Sequence, residues 1–169
     1  MSQGQNIGIL ENDFGAVNVD MMMLQDLMGD QCELEMISGG CDPETHHRRF
    51  KTKLISMGMC GYDRILVEPS GIFDVDEFFD ILREEPLDQW YEIGNVIAVV
   101  DAGLDEKMSE EADYILASEV ADAGCIVLSK TQEASGEIIQ NTIDHLNRAL
   151  ETVHCKRRLK EDELSLIHI

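Results

Sequence analysis

No apolar stretch in this chain comes near the roughly 20 residues that a bilayer-spanning helix needs. The opening Met1-Ser-Gln-Gly-Gln5 is polar and lacks the apolar centre of a signal peptide. Cations are scarce. The chain has 13 Lys and Arg against 34 Asp and Glu, and a net charge of −21 argues against nucleic acid or an anionic membrane as partner, because both demand clustered cations. A metal ion or a cationic partner remains compatible. Internal repeats, low-complexity segments and linkers are also missing, so 169 residues read as one ordinary core. Five cysteines, an odd number without a secretory context, predict reduced thiols in a cytoplasmic protein instead of a disulfide framework.

What is present is an alternation of short apolar runs with helical patterns, which predicts an α/β fold with a mostly parallel sheet and helices on both faces. The runs are Ile7 to Leu10, Leu34 to Ile37, Ile65 to Val67, Val96 to Val100 and Cys125 to Leu128. Each is read as a buried strand and each ends in polar, turn-forming residues. The C-terminal ends of such strands are where open parallel sheets bind ligands. Between them, Asp20 is placed to cap a helix with Met21, Leu24, Leu27 and Met28 on one side, and the Met21 to Met23 triplet reads as core filler before it reads as a soft-metal box. Asp42-Pro43 opens a helix that buries Phe50, Leu54 and Met57 and exposes Arg48, Arg49, Lys51 and Lys53. A capping pattern from Asp74 to Glu77 predicts burial of Phe78, Phe79 and Leu82, Trp90 and Tyr91 are expected to pin their loop, and Ile139, Ile143, Leu146 and Leu150 stripe the last long helix.

Four constellations carry chemistry. Glu68-Pro-Ser-Gly71 puts a carboxylate at a strand end before a mobile glycine, as positioning of Mg²⁺ and water against phosphates requires. It equally fits a helix cap or an ion pair with Arg64. Ser129-Lys130-Thr131-Gln132 resembles a guanine-recognition loop in which a lysine stem lies over the base, although Gln132 holds the usual aspartate position and a plain surface loop is the alternative. Gly39 to His47 brings Cys41, His46 and His47 close in sequence, so Cys41 with one imidazole and Glu11 or Cys32 could ligate a metal, or the histidines could be solvated. Glu11-Asn-Asp-Phe-Gly15 is an acidic strand end suited to a metal-facing loop, or an ordinary turn in which Asn12 and Asp13 bond their own backbone.

Taken in order, these segments resemble the CobW/HypB/UreG family of P-loop GTPases, the metal-insertion and metallochaperone group, and most closely its CobW-like branch. Glu11 to Gly15 with Val19-Asp20 is similar to that family's Glu-Asn-Glu-Phe-Gly switch, Gly40-Cys41 to its metal motif, Glu68 to Gly71 to its Glu-x-x-Gly switch, Val99 to Ala102 to its Val-Val-Asp-Ala strand end, and Ser129 to Thr131 to its base loop. The resemblance implies Glu68 and Gly71 as catalytic and Ser129, Lys130, Thr131 and Gln132 as nucleotide-binding residues. It also implies Glu11, Asn12, Asp13, Gly15 and Glu68 as switch and Mg²⁺ residues, and Cys41 with Glu11 as metal ligands, His46 and His47 being weaker candidates. GTP and Mg²⁺ are the implied cofactors, with zinc or another transition metal as cargo. The implied partners are GTP, the metal ion, a client metalloprotein or cofactor-assembly enzyme, and a second copy in a homodimer.

Two departures qualify it. Asp42, Pro43 and Glu44 stand where the family has further cysteines, and no Gly-x-x-x-x-Gly-Lys-Ser/Thr occurs anywhere, although that loop cradles phosphate and reaches Mg²⁺. The expectation is therefore a P-loop GTPase-like domain over residues 1–155 without its first strand and phosphate loop, binding nucleotide weakly on its own. That strand would lie beside the one ending at Glu68. Residues 156–169 are expected to be a charged tail and an apolar, disordered stub left by truncation. The alternatives are a catalytically inactive α/β module binding through its acidic surface, or a Cys/His metal protein.

Overall fold

The computed structural model describes residues 4–12, 19–29, 32–37, 43–69, 75–105, 107–160 and 164–166. They gather into two compact units, Met1–Glu92 and Ile93–Ile169.

The first unit is built on β1 (Ile7–Asn12), β2 (Cys32–Ile37) and β3 (Arg64–Glu68), all parallel, in the order β2-β1-β3. Its helices are α1 (Val19–Leu24), running into a 3₁₀ turn, α2 (Pro43–Cys60), α3 (Val75–Arg83) and α4 (Leu87–Trp90). Phe50, Leu54 and Met57 recur on one face of α2 and are buried with Leu10, Ile37, Ile81 and Leu87. The helix lies close to β1 because Gly8 has no side chain there: a Cβ would sit 2.7 Å from Met57 Cε. Lys51 and Lys53, expected to be solvated, are half-buried against Glu84 and Glu35.

One reading of this unit needs correction. On α3 the fully buried residue is Ile81, whereas Phe78 and Phe79 are half-buried, Phe78 packing edge-on against Phe50 at 5.4 Å. Met22 and Met23 are exposed, the part of the triplet that helical spacing turns outward, and the side chain of Met21 lies outside the described residues. The pinning role does hold for Tyr91, whose hydroxyl donates to the Leu54 carbonyl at 2.7 Å and whose pKa is pushed up to about 12 by burial. Trp90 lies over Gly58, where a Cβ would meet its ring at 2.9 Å.

The second unit has β4 (Ile97–Asp101), β5 (Cys125–Ser129) and β6 (Ser165–Leu166), again parallel, in the order β4-β5-β6. Serines begin both of its helices: Ser109 accepts from Ala112 N ahead of α5 (Glu110–Asp122), and Ser135 from Ile138 N ahead of α6 (Gly136–Thr152). Ile143, Leu146 and Leu150 of α6 pack with Val120 on Val100, Ile126 and Leu128. Described residues of the tail pack on this unit. Leu159 and Leu164 are buried in this core, Ser165–Leu166 pairs with β5, and Arg157 donates to the Val120 and Ala123 carbonyls at the end of α5. Arg157 and Arg158 donate to backbone carbonyls, and the leucines supply apolar surface that a charged run conceals in a sequence.

β3 and β4 differ from the buried strands expected. Leu66 on β3 is 55% exposed, and Ile97 and Val99 on β4 are 58% and 64% exposed. Among the described residues each strand has one neighbour in its sheet, which leaves one edge unpaired there. Among the described residues no helix is long and apolar enough to cross a membrane.

Substituting Leu146→Ala, at a position 1% exposed, is expected to destabilise the chain by about 2–5 kcal/mol in urea unfolding. Ile138→Ala on the same helix, at 42% exposure, is expected to stay within about 0.5 kcal/mol. Equal effects from the two would show that α6 does not pack as described.

Candidate functional site

In the first unit the parallel register sets Glu11 directly beside Glu68, so two carboxylate-bearing positions are neighbours at the C-terminal ends of adjacent strands. Glu11 is 3% exposed, and Glu68 lies on the exposed strand β3. Asn12, next along β1, is also buried and donates from Nδ2 to His46 Nε2 at 2.9 Å, which ties the end of β1 to the first turns of α2. His47, one residue on, turns to the other side of α2 and meets Glu84 at 2.9 Å and Glu77 at 3.8 Å. The two histidines therefore serve different neighbours, and His47 is held by acids of the loop after α3 and of α3 itself. Lys51 beside Glu84 holds that carboxyl below its ordinary range.

Asp13, Gly15, Cys41 and Gly71 lie outside the described residues. Among the described residues, no group of three or more His, Cys, Asp and Glu side chains could hold a metal ion. Cys32, Cys60, Cys125 and Cys155 are free thiols.

In the second unit Ser129 ends β5, and its hydroxyl donates to the Val100 carbonyl at 3.3 Å. Lys130 follows with φ 56°, a left-handed conformation uncommon for a lysine, and its ammonium donates to Asp101 Oδ2 at 2.6 Å. Asp101 Oδ1 in turn accepts from Gly103 N at 2.8 Å. Lys130 and Gly103 together hold the Asp101 carboxyl below its ordinary range, and Asp101 raises the pKa of Lys130. Thr131 is buried and Gln132 exposed. The ends of β4 and β5 are thus locked to each other, with Lys130 fixed in direction. Sequence reasoning missed Asp101 as the lysine's partner, although a carboxylate closing the Val96 to Val100 run was the available signal.

A profile described as "CobW/HypB/UreG, nucleotide-binding domain" matches residues 1–159. The chain belongs to this family. It is 32% identical over 143 residues to the zinc chaperone YjiA of Escherichia coli (strain K12), an alignment covering 78% of this chain and 42% of that protein. To the zinc chaperone YeiR of the same organism it is 26% identical over 132 residues, covering 76% and 39%. The solved structure of the Zn(II)-bound YjiA GTPase from E. coli superposes with a TM-score of 0.50 at 26% identity, over 85% of this chain and 46% of that one. A zinc-bound triple mutant of that GTPase superposes at 0.55 and, at 24% identity, bears on the fold alone. The CobW-type α/β architecture is therefore shared, and the chain spans less than half the length of the curated relatives it matches.

The Asp101–Lys130 contact has a pH signature. A depressed carboxyl contributes stability above its unfolded value of about 3.9 and loses it as pH falls through the lower folded value. Both side chains are well exposed, so the readout is the NMR titration midpoint of Asp101 and not global stability. Lys130→Gln is expected to raise that midpoint toward about 3.9, and an unchanged midpoint would mean that the two do not meet.

Proposed function

We propose that this chain carries the acid-bearing and base-recognising edges of a GTP-binding, GTP-hydrolysing domain that serves metal delivery or metallocofactor assembly, with zinc, cobalt or nickel as cargo. Glu11 and Glu68 as register partners at two strand ends carry the reading. Phosphoryl transfer asks a protein for placement and charge more than for covalent chemistry, and a carboxylate at a strand's C-terminal rim is where such placement is built. Glu68 would orient the attacking water and a Mg²⁺ ion with Gly71 as the mobile turn, and Asn12, Asp13 and Gly15 would complete the switch. Lys130, held by Asp101, would lay its stem over the base, flanked by Ser129, Thr131 and Gln132. An uncharged Gln132 accepts hydrogen bonds from guanine less strongly than a carboxylate, so guanine preference is weakened.

The donor set fits Mg²⁺, a hard cation that takes one or two carboxylates and keeps its waters, better than a closed thiolate site. Cargo binding would draw on Cys41 and Glu11, with His46 and His47 as lesser candidates. The relatives' names as zinc chaperones support metal delivery as the purpose of the domain.

In this reading the phosphate cradle comes from a segment other than these 169 residues, which contain no Gly-x-x-x-x-Gly-Lys-Ser/Thr. The exposed Leu66 on the outer edge of β3 supports that, since a parallel strand is ordinarily covered on both faces. Client, homodimer and cytoplasmic setting follow the family reading. Isothermal titration of the chain with GTP and Mg²⁺ is expected to show no saturation at micromolar nucleotide, and micromolar affinity would overturn the assignment of the cradle to another segment. Zinc titration is expected to weaken by about tenfold or more in Cys41→Ala but not in Cys60→Ala. Equal uptake by both variants would remove Cys41 from the cargo site.

A further inference from the structure

Outside the strand ends, the second unit holds a cavity of about 420 Å³ between the approach to α5 and the second half of α6. That volume lies in the range of small-molecule sites. Lys107 and Arg148 are both exposed at it, Met108 and Ala149 give it an apolar wall, and Asp113, His145 and Thr152 also line it. No residue is shared with the Ser129 to Gln132 loop.

Three observations point to a guest. The first is charge. In a chain of net charge −21, this cavity gathers two of the 13 cations, and neither forms an ion pair among the described residues. The second is that the one acid named in the lining pairs with neither cation: His145 Nε2 donates to Asp113 Oδ1 at 2.7 Å, which joins α6 to α5. The third is an orphan. His145 is 5% exposed, and its Nδ1 is buried with no hydrogen-bond partner among the described residues. A buried polar atom without a partner, in a residue that also lines the cavity, calls for an explanation such as an ordered water or ion.

We propose that this cavity is a binding site for a small phosphate-bearing ligand, its dianion matched to Lys107 and Arg148. The guanidinium presents paired donors to two phosphate oxygens, and the ammonium adds a point charge. Met108 and Ala149 accept the apolar body of an ester. The site is independent of the nucleotide reading, because it uses neither the strand ends nor the base loop.

The test uses the full chain with inorganic phosphate and, separately, phenyl phosphate as probes, followed by amide NMR shifts. Saturable shifts confined to residues around 107–113 and 145–152 are expected. The double variant Lys107→Gln, Arg148→Gln is expected to weaken both probes at least tenfold. The double variant Lys156→Gln, Lys160→Gln, which makes the same change in net charge at other exposed positions, is expected to leave them unchanged. Tighter phenyl phosphate than inorganic phosphate would assign the natural guest to an organic ester, and the reverse order to free phosphate; either supports a phosphate site. Equal weakening in the two double variants, shifts spread over all surface cations, or no saturation by either probe would overturn it.

Discussion

Both units depend on a central strand that is paired in parallel on each side: β1 in one, β5 in the other. A parallel ladder satisfies backbone groups evenly along a strand, and its βαβ connections deliver the loops to one rim. Everything functional follows from that. Because β1 and β3 run in register, Glu11 and Glu68 meet as neighbours; because β4 and β5 do, Asp101 and Ser129 are register partners and Lys130 reaches back to Asp101. Chemistry-bearing residues far apart in sequence are brought together by alignment of strand ends, with little help from the helices.

The helices are secured by different means in the two units. Phe50, Leu54 and Met57 seat α2 over β1, where Gly8 gives room, while α5 and α6 are joined by buried leucines and by the His145–Asp113 contact. The acidic composition leaves these cores intact, because most of the described acids other than Glu11 lie on the outside or pair locally, as Glu84 does with Lys51 and His47. Exposed pairs of this kind add little stability, and the apolar packing carries the fold.

Much of the fold was legible because period-two and helical patterns survive in single segments. The strands at Ile7, Cys125 and Val96, the α2 stripe and the α6 stripe were readable from spacing alone. The burial of Leu159 and Leu164 was not, since a charged run hides isolated leucines whose partners lie far away in sequence. Nor was Ile81, whose advantage over Phe78 and Phe79 is set by the direction in which α3 meets its neighbours. In the site, the acids at strand ends were legible because carboxylates interrupt apolar runs. The partners of His46, His47 and Lys130 were not, because each is set by register or helix phase and not by local sequence.

If the proposed function holds, β3 becomes an inner strand of a nucleotide-binding sheet once another segment fills its outer edge. Native-state hydrogen exchange tests it most directly. In this chain, alternate amides of Arg64–Glu68 are predicted to exchange nearly as fast as an unstructured peptide while those of β1 stay protected, and joining a segment bearing the phosphate loop is predicted to protect them. Amides of β3 already as slow as those of β1, or unchanged after the addition, would contradict the account.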